Sequence, residues 1–129
     1  MNKQEKIEYW LDISDYDLET ATSMLSSARY LYVVFMCQQA IEKIIKALYI
    51  HKFDSDPPKS HNLAFIFQMF DIQISAEISS FLNLLSAHYI QNRYPDYKSR
   101  LSTTLSKDKA EQYLKQTEDV YKWLKSLIT

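Results

Sequence analysis

Residues 29–52, RYLYVVFMCQQAIEKIIKALYIHK, are apolar around most of a helical circumference and are interrupted by one polar stripe at Gln39, Glu42, Lys43 and Lys46, spaced i, i+3, i+4, i+7. A helix with that pattern is central and buried on two sides. Before it, Ile7, Trp10, Leu11, Ser14, Leu18, Ala21 and Leu25 recur at amphipathic spacing, which predicts a helix over residues 3–26. The opposite face of that helix holds Glu5, Glu8, Asp12, Asp15, Asp17 and Glu19 against Lys3 and Lys6, so residues 1–20 carry a net charge of −4. After it, FDSDPPKS at 53–60 is the clearest connector: its prolines are expected to stop the central helix, and Ser60 to cap the next, which carries Leu63, Ile66, Phe67 and Phe70. Ser75 can cap a further helix with the stripe Ile78, Leu82, Leu85 and Tyr89, which must end before Pro95. The stretch NRYPDYKSRLSTTLS, 92–106, reads as a loop closing on a Ser106 cap, and the last helix follows with Ala110, Tyr113, Leu114, Thr117, Val120, Leu124 and Leu127 in register. The expectation is an all-α, up-and-down four-helix bundle with an additional short helix, formed by residues 1–129 as a single domain.

The absence of glycine supports that reading and excludes several functions. Phosphate loops and dinucleotide turns need backbone that approaches phosphate without a Cβ, and primed hairpins lose their usual residue. A chain of 129 residues has room for one core. Fifteen Lys and Arg against sixteen Asp and Glu leave a formal charge of −1, so any contact with a polyanion must be local. The single cysteine, Cys37, can make no intramolecular disulfide, which fits a reducing, cytoplasmic setting. No apolar run reaches the roughly 18 residues needed to span a bilayer, so no membrane association is expected.

Few residue constellations carry chemistry. His51, His61 and His88 have neither H-x-x-x-H nor E-x-x-H spacing, so neither metal nor cofactor is expected. Cys37, within the apolar helix, reads as a buried inert thiol. The stripe Gln39, Glu42, Lys43, Lys46 has two readings: a solvated face with one i, i+4 ion pair, or the floor of a groove where two ammonium groups meet phosphate while Glu42 positions them. Between Tyr89 and Tyr97 the chain packs tyrosines around Arg93, Pro95 and Asp96, and residues 93–100 carry a local charge of +2. Such interleaving can stack bases and hold phosphates. Equally, Tyr89 and Tyr94 can be core rings, with Asp96 bracing a turn.

Taken in order, Trp10 and Asp17 on an acidic first helix, Cys37-Gln38-Gln39-Ala40-Ile41-Glu42-Lys43 with Lys46-Ala47-Leu48, His61-Asn62-Leu63, then Tyr89 and Arg93-Tyr94-Pro95-Asp96, resemble the HEPN domain (higher eukaryotes and prokaryotes nucleotide-binding). The resemblance implies a helical bundle that pairs as a homodimer, works beside a minimal nucleotidyltransferase, and binds nucleotide or RNA. Many members are ribonucleases with an R-x(4 to 6)-H motif, and this sequence departs from it: no histidine stands at that distance after Arg29, Arg93 or Arg100. Loss of that histidine removes the general base for attack by the 2′-OH.

The expected function is therefore a non-catalytic, dimeric module that holds a nucleotide or single-stranded RNA and acts with a nucleotidyltransferase subunit. Lys43, Lys46, Arg93, Tyr94, Asp96 and Tyr97 would contact the ligand, supported by Gln39, Glu42, His61, His88 and Tyr89. The rival is the ribonuclease toxin of a toxin and antitoxin pair, with a non-standard acid/base pair built from His88 and Arg93. His61 could stand in only if the fold brings it beside Arg93.

Overall fold

A computed structural model describes residues 1–91 and 105–128, with side chains described at 1–87 and 105–128. Among them the elements are α1 (Lys3–Ser26), α2 (Tyr30–Phe53), α3 (Leu63–Phe67), α4 (Ala76–Gln91) and α5 (Lys107–Ser126). The first begins on a capping box, in which the Asn2 side chain accepts from the Glu5 amide and Glu5 reaches back to the Asn2 amide. Ser75 and Ser106 cap α4 and α5 as expected, through bonds of 3.1 Å from the Ile78 amide and 3.2 Å from the Lys109 amide. Between α2 and α3 two expectations need correction. Asn62, not Ser60, caps α3, because its carboxamide oxygen lies 3.1 Å from the Phe65 amide while Ser60 accepts from Asn62 itself. The end of α2 comes before the prolines: Asp54 turns left-handed at φ 51° and its amide closes on the Ile50 carbonyl.

The turn from α1 to α2 is a Schellman motif, with the Arg29 amide bonded to the Met24 carbonyl and the Ala28 amide to the Leu25 carbonyl. Ala28 occupies its left-handed position at φ 59°, where glycine is normally used. An alanine there is strained by about 1–2 kcal/mol, which glycine relieves at the cost of a freer unfolded chain. Ala28→Gly is expected to stabilise the protein by about 0.5–1 kcal/mol, read as a higher urea midpoint with the same slope.

α2 is the axis of the molecule. It packs on α1, α3, α4 and α5, and from 30 to 53 only Tyr32, Lys52 and Phe53 are exposed. Ile41, Ile44, Ile45 and Leu48 are fully buried in one core with Leu63, Ile66, Leu82, Leu85 and Leu124. Small residues let α1 lie close against α2: Ser14, Ala21, Ala40 and Ala47 are all buried, and Ser14 Oγ donates to the Ala40 carbonyl at 2.6 Å. On the far side Phe67 and Phe70 of the α3 region meet Trp123 and Phe53. Among the described residues no helix is long and apolar enough to cross a membrane.

Candidate functional site

Among the described residues α2 is covered on most sides, and an accessible line along it stands out. Tyr32, Phe35, Gln39, Lys43 and Lys46, spaced i, i+3, i+7, i+11 and i+14, are half-buried or exposed, as is Met36 beside Phe35, while the other residues between them are buried. The rise of an α-helix makes this stripe about 21 Å long, aromatic at one end and cationic at the other. Its cationic half is legible in the sequence. Tyr32 and Phe35 continue it at the same 3.6 period but are hidden in a run that is apolar throughout.

Glu42 lies at the edge of the stripe and is only 3 % exposed. Its carboxylate gathers three groups: His61 Nδ1 at 2.7 Å, Gln38 Nε2 at 3.2 Å and Lys46 Nζ at 3.5 Å. A buried carboxylate persists only when its oxygens are paired and hydrogen-bonded, and here they are. The Lys46 ammonium also sits over the Trp10 ring of α1, 5.2 Å from its centroid, a cation–π contact. Contrary to the expectation from the stripe, Glu42 does not hold both lysines: Lys43 pairs with Asp17 of α1, whose side chain is nearly buried. Part of the acidic helix is thus satisfied within the bundle. Gln39 extends the network by donating to the Gln38 carboxamide at 2.6 Å.

His61 is held from two directions. Glu42 takes its ring, and two residues further on the Leu63 amide donates to Ser86 Oγ of α4 at 2.8 Å. That second bond sets the start of α3, with His61 just ahead of it, against the last turns of α4. His88 and Tyr89 lie on those turns, in the α4 backbone that runs to Gln91. Arg93, Tyr94, Asp96 and Tyr97 lie outside the described residues. Of the residues named from sequence, the structure therefore brings together Gln39, Glu42, Lys46 and His61, with Lys43 one turn away. It adds Gln38, one turn before Glu42 on the same helix, and Trp10, Asp17 and Ser86, whose part depends on contacts between helices that spacing along one helix cannot reveal.

Two further observations bear on chemistry. Among the described residues no group of three or more His, Cys, Asp or Glu side chains could hold a metal ion. Cys37 is fully buried, and desolvation pushes its thiol from 9.0 up to about 12, against a smaller lowering by a hydrogen bond with Thr117. A folded-state value above the unfolded one means the native protein binds more protons between those limits, so this group withdraws stability as pH rises above 9.0 toward about 12. At neutral pH the thiol is protonated and shielded. Labelling by iodoacetamide is expected only as fast as the protein unfolds, which mass spectrometry with and without urea would check.

The comparisons with known proteins agree with this architecture. The fold is similar to that of TT1696 from Thermus thermophilus, with a TM-score of 0.80 and 22% identity over 98% of this chain and 99% of that one. It is also similar to ST0689, described as an archaeal HEPN homologue, with a TM-score of 0.78 and 23% identity over 95% and 98% of the two chains. No curated protein matched the chain. The HEPN domain family model matches residues 7–127, nearly the whole bundle, and the chain belongs to the HEPN domain family.

Proposed function

We propose that this chain is a non-catalytic nucleic-acid-binding module whose ligand lies along the accessible stripe of α2. The carrying observation is the Glu42 hub, which holds Lys46, Gln38 and His61 at one end of a stripe whose other end is aromatic. The Lys43 and Lys46 ammonium groups are each balanced by a carboxylate, so the described part of the site offers little net positive charge to a free nucleoside triphosphate. A single strand suits it better, since stacking on rings supplies much of the affinity and each diester phosphate brings one charge. In this reading Tyr32 and Phe35 stack bases, Lys46 and Arg93 contact phosphate, Tyr94 or Tyr97 adds a ring, and Asp96 orients Arg93. The module acts as a homodimer beside a nucleotidyltransferase subunit.

Fluorescence anisotropy with a labelled single-stranded RNA tests this. Arg93→Ala is expected to weaken binding by about 1.5–3 kcal/mol, the worth of a charge-assisted hydrogen bond, and ATP is expected to compete poorly. Unchanged affinity in the variant would reject the assignment.

One observation favours a second reading. A buried carboxylate holding a half-exposed imidazole is the arrangement that orients a general base, and His61 on Glu42 has it. On the ribonuclease reading, His61 takes the 2′-OH proton and Lys46 or Arg93 stabilises the phosphorane. Metal-independent cleavage of labelled RNA that His61→Ala abolishes would favour it over the binding module.

A further inference from the structure

We propose that the outward face of α1 is a docking surface for a lysine- and arginine-bearing segment of a partner protein. This surface is distinct from the α2 stripe, which it adjoins where Tyr9 meets Trp10. Glu5, Glu8, Tyr9, Asp12, Tyr16 and Glu19 share one helical face about 21 Å long, and from Ile7 to Ser26 the chain contains no Lys, Arg or His. The bundle uses two of the acidic residues of α1: Asp17 binds Lys43, and Asp15 accepts from the Tyr121 hydroxyl and lies 3.7 Å from Lys125. Glu5 serves the cap of its own helix, and none of the remaining acidic residues of α1 pairs with another helix among the described residues. Glu5 accepts only from the Asn2 amide within the helix cap, Glu8 accepts from Gln4, and Asp12 and Glu19 make no ion pair among the described residues.

The tyrosines are an independent observation. Tyr16 is 70 % exposed and Tyr9 48 % exposed, two turns apart on the same face. Tyr9 meets Trp10 edge-on with ring centroids 5.6 Å apart, but neither helix propensity nor core packing asks for tyrosine at position 16, whereas interface cores are enriched in it. Carboxylates along one edge and ring faces along the other match guanidinium and ammonium groups, which pair with the first and lie over the second. The same charges repel a nucleic acid. They also disfavour a second copy, because a two-fold contact would set this acidic face against itself.

The test uses the full chain and a fluorescein-labelled nona-arginine peptide followed by anisotropy at low salt. The combined variant Glu8→Gln, Asp12→Asn, Glu19→Gln is expected to weaken binding about tenfold, and Tyr9→Ala with Tyr16→Ala by about fivefold, each at unchanged circular dichroism and Tm. Binding that falls with the charge variant alone would be unspecific attraction to acid and would overturn the built surface. Retention in both variants would overturn it as well. Sedimentation showing a dimer that the tyrosine variant dissociates would assign the face to a second copy, and loss of RNA binding in either variant would assign it to nucleic acid. Either result would reject the proposal.

Discussion

Glu42→Ala is expected to destabilise the protein by about 2–4 kcal/mol, although it removes no part of the apolar core. The reason is what the substitution strands. Gln38 is fully buried and would keep an amide with no acceptor at Glu42. Lys46 and His61 would lose their shared counter-charge, but both can turn toward water, since their side chains are 15 % and 43 % exposed. That escape places the expected loss below the largest costs of breaking a buried pair. Glu42→Gln keeps the shape and much of the hydrogen bonding and should cost about half as much. Urea denaturation of both variants measures the difference. Equal, negligible losses would mean the hub is a surface feature.

Leu48→Ala should cost more, about 3–5 kcal/mol. Leu48 is fully buried in α2, which packs on all four of the other described helices, so the surrounding walls are fixed from several sides and cannot collapse into the cavity. The same truncation at Leu114, which is 5 % exposed on α5, should cost less because the cavity lies nearer solvent. A domain of this size has only about 5–15 kcal/mol in total, so Leu48→Ala combined with Glu42→Ala is expected to be largely unfolded at 37 °C. Differences in urea midpoint at unchanged slope give the values.

The helices could be read from the chain because their evidence is local. Periodicity places α1 over residues 3–26 and predicts α2 as a central helix buried on two sides, and hydroxyl side chains mark the starts of α4 and α5. Helix ends were harder. Ala28 takes a left-handed conformation that its residue type does not advertise, and Asn62 displaces Ser60 as a cap by lying nearer the first turn of α3. In the site, the i, i+4 pair of Glu42 and Lys46 was legible. The partnership of Lys43 with Asp17 and of Glu42 with His61 was not, because each joins residues 26 and 19 positions apart. Such contacts depend on how helices cross, and that information lies in packing instead of spacing.

Ligand must meet the accessible line of α2 for the proposed site to function. Proton–nitrogen NMR spectra of the labelled protein during titration with a short oligouridylate test this directly. Shifts are predicted at the Trp10 indole, the Gln39 side-chain amide, and the backbone amides of Tyr32, Lys43, Lys46 and His61, with the outward face of α1 silent. A saturable response confined to the α1–α5 groove around Glu19, Tyr121 and Lys122, or no response at millimolar oligonucleotide, would contradict it.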